Sequence, residues 1–112
     1  GVRRVQGVGG VKNNMILLPN ADIAMAADAA VSAAYGSAGE RCMAISVVVA
    51  VGDVADPLVS ALEERLPKIK IGPGHEEGSE MGPLITREHR DKVASYVEHA
   101  ESHGATVRAD GR

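Results

Sequence analysis

The run Ala44-Ile45-Ser46-Val47-Val48-Val49-Ala50-Val51 is almost wholly apolar, rich in β-branched residues, and stops at Gly52-Asp53. Such a run reads as a central strand covered on both faces, the pattern of a parallel sheet. Parallel neighbours need helical crossovers, and the flanking sequence carries them. Upstream, Met15-Ile16-Leu17-Leu18 reads as a short buried strand, and Pro19-Asn20-Ala21-Asp22 as a turn in which Asn20 or Asp22 caps the next helix. From Ile23 to Tyr35 Ala dominates, with Ile23, Ala27, Ala30, Val31 and Ala34 on one face at helical spacing. Small residues on that face let backbones approach closely.

Downstream, a helix is expected from Asp56 to Leu66, with Pro57 in its first turn and Leu58, Leu62 and Leu66 as its apolar stripe. Lys68 to Ile71 reads as a short extended piece, and Gly72-Pro73-Gly74 opens a polar loop that runs to Gly82-Pro83. Thr86 then caps a third helix whose Val93, Tyr96, Val97 and Ala100 are expected to face the core. Glu88 and Lys92 sit one turn apart on its wet face. Gly104 ends that helix, and Ala105 to Ala109 can start another strand. Alternating strands and helices predict an α/β fold with a parallel sheet. No internal repeat, low-complexity tract or domain linker interrupts the chain.

At 112 residues the chain is one domain at most, and with two Tyr and no Phe or Trp its core must be aliphatic. A core of Ala and Val at this length buries little surface, so independent stability is expected to be marginal. That is a first sign of membership in something larger. Lys and Arg number 12 against 15 Asp and Glu, a net charge of −3, and no basic run or stacking aromatic is present to hold a phosphate backbone. No nucleic-acid partner is expected. The longest apolar run is too short to cross a bilayer, so no membrane partner is expected either. No charged and then apolar opening marks secretion. A single Cys cannot form an internal disulfide, which agrees with a reducing, cytoplasmic setting.

That Cys, Cys42, admits two readings from its surroundings. A lone Cys between a helix and a buried strand is commonly a small core residue. Alternatively, Gly36-Ser37-Ala38-Gly39 lets backbone approach a ligand, and Arg41 could stabilise a thiolate. Glu40 offsets Arg41, the C-terminal end of a helix does not favour an anion, and no His is near in sequence. Composition leaves the choice open. Elsewhere, Gly7-Val8-Gly9-Gly10 lacks the third Gly of a dinucleotide fingerprint and the Gly-Lys-Thr of a phosphate loop, so it reads as a tight turn. His99 and His103 lie one turn apart, but no further Cys or His completes a site, so no metal is expected. His75-Glu76-Glu77 is expected in an exposed loop.

The stretch Tyr35-Gly36-Ser37-Ala38-Gly39-Glu40-Arg41-Cys42-Met43-Ala44-Ile45-Ser46 resembles the active-site segment of aldehyde dehydrogenases, in which a helix runs through Gly-x-x-Cys into a strand. Within that superfamily it is most similar to the CoA-acylating methylmalonate-semialdehyde dehydrogenases, where Gly, Glu or Gln, Arg, Cys, Met, Ala is a characteristic run. Gly9-Gly10-Val11-Lys12-Asn13-Asn14, Pro19-Asn20-Ala21-Asp22, Ile71-Gly72-Pro73-Gly74 and Met81-Gly82-Pro83-Leu84-Ile85-Thr86 support the resemblance, in the family's order and spacing over essentially the whole chain.

The resemblance implies that residues 1–112 are part of the parallel-sheet catalytic domain. The nucleotide-binding domain, the upstream Asn of the oxyanion hole and the downstream Glu that binds the nicotinamide ribose would then lie elsewhere in a homo-oligomeric parent. It implies that Cys42 is the catalytic nucleophile, that the backbone of Gly9 contacts the cofactor NAD, and that coenzyme A is the acyl acceptor for a small semialdehyde substrate. Arg41, flanking the nucleophile, is expected to hold the substrate carboxylate, because a guanidinium pairs with a carboxylate through two parallel hydrogen bonds. The alone-standing fragment is expected to be inactive. Hydrolytic members of the family carry a Glu just before the Gly pair. Here Gly7 or Val8 occupies that place, and no Asp or Glu occurs before Asp22. A hydrolytic enzyme and a non-catalytic α/β interaction module with a structural Cys are the alternatives.

Overall fold

The structure, a computed structural model, describes Arg3 and residues 10–112. Strand β1 (Asn13–Leu17) pairs in parallel with β2 (Ile45–Ala50), and helix α1 (Ile23–Tyr35) makes the crossover between them. The pairing sets Met15 beside Val48, Ile16 beside Val49 and Leu17 beside Ala50. Because side chains alternate along a strand, this register collects Met15, Leu17, Val48 and Ala50 on one face. That face meets α1 and helix α2 (Ala55–Arg65) in a core of Leu17, Ala26, Ala27, Val54 and Leu58. The predicted parallel α/β arrangement is therefore present.

Helix α1 starts where Asp22 Oδ1 accepts from the Met25 N–H at 3.0 Å, as the turn sequence predicts. Its Ala26, Ala27 and Ala30 are buried, and Ala27 is fully so. The small side chains bring α2 close, with Arg65 of α2 reaching the Asp28 carboxylate of α1. Helix α3 (Arg87–Ala100) is capped by Thr86 Oγ1 on the His89 N–H at 3.1 Å. A short 3-10 turn, Glu101–His103, follows it and closes on Gly104 at φ 85°, the left-handed conformation for which Gly carries no steric penalty.

Four expectations are not met among the described residues. The second face of the sheet is bare among the described residues: Ile16, Val47 and Val49 are all exposed, Ile16 at 66%. Both helices that reach the sheet lie on the same side. Val93, Tyr96, Val97 and Ala100 do not reach a core, since α3 buries no residue and Tyr96 is 67% exposed. Ala105 to Ala109 forms no strand. The extended piece before the loop is reduced to one bridge between Ile71 and Met81, because Lys68 is taken into a 3-10 turn, Leu66–Lys68.

Candidate functional site

Cys42 lies in the connection from α1 to β2. That connection begins with a 3-10 turn, Gly36–Gly39, in which Ser37 and Ala38 both have φ 53° and Gly39 has φ 75°. Three successive left-handed residues reverse the chain sharply. The conformation costs roughly 1–2 kcal/mol at each residue bearing a Cβ, so the two non-glycine positions hold local strain. At Gly39 a side chain is excluded twice over: φ is positive, and a Cβ would stand 2.8 Å from the Ala34 carbonyl oxygen. Gly36 is restricted differently, because a Cβ there would lie 2.9 Å from Arg41 Nη1.

The chain then turns again through Cys42. The Ala44 N–H donates to the Arg41 carbonyl at 2.9 Å. The Asn13 side-chain amide, from the start of β1, donates to the Cys42 carbonyl and to the Ala44 carbonyl, each at 2.9 Å. Cys42 itself is a free, exposed thiol. Among the described residues no backbone carbonyl accepts from its N–H. An accessible sulfur beside an uncommitted N–H can both attack a carbonyl carbon and donate to the oxyanion that forms. A Cys buried in this chain's own core would offer neither, and Cys42 is not among the buried residues described.

Arg41 points the other way. Its side chain folds back over Gly36 and, with Asp28, Tyr35, Glu80 and Met81, lines a cavity of about 340 Å³ whose walls do not include Cys42. Its expected partner Glu40 instead approaches His89 Nε2 of α3 at 3.6 Å, and Arg41 has no ion pair among the described residues. Gly9 and its neighbours Gly7 and Val8 lie outside the described residues. Gly10 does not, and among the described residues beyond its chain neighbours no atom stands within 4 Å of where a Cβ would sit on it. His103 Nδ1 faces the His99 carbonyl at 2.8 Å within its own helix end. Among the described residues no three of His, Cys, Asp and Glu are grouped to hold a metal ion. No described helix is long and apolar enough to cross a membrane.

The residue that sequence reasoning missed is Asn13. Its signal was a polar amide opening an apolar strand, but its acceptors lie 29 and 31 residues further along the chain. Only the parallel pairing of β1 with β2 brings them together.

The profile of the aldehyde dehydrogenase family matches residues 1–112. Malonate-semialdehyde dehydrogenase 3 of Geobacillus kaustophilus is 49% identical over 110 residues, which are 98% of this chain and 23% of that protein. Among solved structures, the methylmalonate-semialdehyde dehydrogenase of Oceanimonas doudoroffii is 50% identical with a TM-score of 0.88, covering 93% of this chain and 22% of that one. A Sinorhizobium meliloti protein described as a methylmalonate-semialdehyde dehydrogenase, complexed with NAD, is 45% identical with a TM-score of 0.89, covering 93% and 21%. The chain thus spans under a quarter of the length of the relatives it matches.

Proposed function

The chain belongs to the aldehyde dehydrogenase family, and on that premise we propose that the enzyme it forms part of oxidises malonate or methylmalonate semialdehyde, with NAD and coenzyme A, to acetyl-CoA or propionyl-CoA and carbon dioxide. The observation that carries the reading is the exposed Cys42 thiol at the end of the left-handed turn, its N–H uncommitted among the described residues. The names of the similar proteins support the substrate class.

The Cys42 thiolate attacks the aldehyde carbon, and the Cys42 N–H donates to the oxygen as it becomes negative. Bound NAD would supply the acceptor for the hydride that leaves this carbon. The backbone of Gly9 is the proposed contact. Loss of the hydride leaves a thioester on Cys42. The β-carboxylate departs as carbon dioxide, the electron pair it leaves is protonated, and the thiol of coenzyme A displaces Cys42. Water competes poorly because it needs a positioned base, which typically contributes about 10²–10⁴-fold, and neither Gly7 nor Val8 is one.

Incubating the whole enzyme with malonate semialdehyde and NAD, without coenzyme A, should leave an acyl adduct on Cys42 by mass spectrometry. Turnover should rise steeply when coenzyme A is added. An adduct elsewhere, or a Cys42→Ala variant that keeps its turnover, removes the reading.

Arg41 is proposed to hold the substrate carboxylate, its exposed side chain turning from Gly36 toward the thiol when substrate binds. Arg41→Leu should lower kcat/KM for malonate semialdehyde by at least about tenfold, about 1.4 kcal/mol. The loss for propionaldehyde, which has no carboxylate, should be much smaller. Equal losses would mean that Arg41 acts on Cys42 generally and is not the clamp.

A further inference from the structure

We propose that Asn13 is a positioning residue for Cys42, its side-chain amide setting the peptide that follows the nucleophile. The proposal rests on reading Cys42 as that nucleophile.

The geometry is specific. Asn13 Nδ2 carries two protons, and the two carbonyls at 2.9 Å, Cys42 and Ala44, use both. The residue sits where the ladder between the strands breaks step: Asn13 pairs with Ile45, but Asn14 pairs with Val47, so Ser46 is an extra residue on β2. At this irregularity the side chain continues toward the turn a connection that the backbone ladder interrupts. No other side chain among the described residues hydrogen-bonds the backbone of residues 36–44. Of its other backbone bonds, Glu40 N–H to Ser37 and Ala44 N–H to Arg41 are internal to the connection, and Gly36 N–H to Ser32 ties its start to α1 rather than to the sheet.

Peptide planarity makes this anchorage act on the thiol. In a trans peptide the C=O and the following N–H point in opposite directions. Holding the Arg41 carbonyl toward Ala44 therefore turns the Cys42 N–H away from that bond and leaves it for a ligand. Holding the Cys42 carbonyl toward Asn13 fixes the next plane. With both flanking planes set, the direction of the Cys42 Cα–Cβ bond follows, and Sγ is confined to the few staggered positions about that bond. A misplacement of about 1 Å between reacting groups can slow a reaction about 10²-fold, so the amide acts on rate through the nucleophile's placement.

The test uses the full-length enzyme. Asn13→Asp keeps the shape, removes both donors and places a carboxylate against two carbonyl oxygens. The single-turnover rate of Cys42 acylation should fall by at least about tenfold, while affinity for NAD stays within about twofold. Asn13→Ala removes the donors without adding repulsion and should lose less than Asn13→Asp. The deficit of Asn13→Asp relative to wild type should shrink as pH is lowered, because a protonated carboxyl again donates one hydrogen bond. A residue that only stabilised the fold would lower the thermal midpoint without this ordering or this pH dependence. Should Asn13→Asp not fold, Asn13→Ala carries the same criterion. Full acylation rate in a folded variant, or loss of NAD affinity in step with rate, overturns the proposal. Failure of the underlying reading shows separately, as turnover that persists in Cys42→Ala.

Discussion

Helices α2 and α3 carry apolar residues at the same spacing, yet Leu58 on α2 is 3% exposed while Val93 on α3 is 42% exposed. All seven buried apolar residues among those described lie between Leu17 and Leu58, and none follows. Helix α2 leaves β2 through the short Gly52–Val54 turn and returns onto α1 and the same face of the sheet. Helix α3 comes after a long loop, and no described strand follows it. Periodicity states that a helix has an apolar side; it does not state what that side meets.

The largest effect separating the two regions is expected from truncating the core. Leu58→Ala should destabilise the chain by about 2–5 kcal/mol, the usual cost for a buried Leu. Tyr96→Ser on α3 should change stability by no more than about 0.5 kcal/mol. Urea unfolding of the two variants makes the comparison. Equal costs would mean that α3 packs more tightly than its exposure indicates.

An intermediate effect is expected at two left-handed glycines. Gly39→Ala meets both a φ of 75° and a carbonyl at 2.8 Å, whereas Gly104→Ala meets a φ of 85° with nothing within 4 Å among the described residues. The conformational penalty is about 1–2 kcal/mol at either site. At Gly39 the contact adds to it, and the loss should appear in global unfolding and in the alkylation rate of Cys42. At Gly104 the loss should be confined to faster amide exchange at the end of α3. Slowed alkylation from the Gly104 change would couple regions that the structure keeps apart.

The smallest effect concerns two carboxylates. A hydrogen bond from Arg65 holds the Asp28 carboxyl below its ordinary 3.8, and one from Arg112 holds Asp110 down to about 2. A carboxyl depressed in the folded state stabilises above its unfolded pKa, and that contribution fades as pH falls through the folded value. Asp28 joins α1 to α2, 37 residues apart, and the pair is lost on unfolding. Asp110 and Arg112 are two residues apart and can still meet in an unfolded chain. Despite its larger shift, Asp110 should contribute less. Below pH 3.8 the thermal midpoint should fall in the wild type, fall less in Asp28→Asn, and be unaltered by Asp110→Asn. Asp28, Asp110 and Arg112 are exposed while Arg65 is half-buried, and salt should weaken both pairs. A larger change from Asp110→Asn would reverse this order.

Much of this was legible beforehand for local reasons. Asp22 and Thr86 cap where a polar residue precedes an apolar periodic run, because a cap needs only three neighbouring residues. The β-branched run ending at Gly52 forms β2, and the crossover length between the strands made their pairing parallel. The proposal for Cys42 as nucleophile came only from the resemblance of the residues around it, since its own neighbourhood left a core position open. The bare sheet face, the uncovered α3 and the missing strand at Ala105–Ala109 were not legible, because each depends on what lies opposite.

Local chemistry in the sequence by itself determined the helices, the two strands, the caps, the glycine turn and the aldehyde dehydrogenase likeness around Cys42. Tertiary structure alone decided that the Cys42 thiol is exposed, that Arg41 folds back over Gly36, and that Asn13 grips the carbonyls on either side of Met43. The physical reason is range. Helix propensity, capping and turn strain act within about four residues. The hydrogen bonds that hold the Cys42 turn span 29 and 31 residues and exist only once β1 and β2 lie side by side.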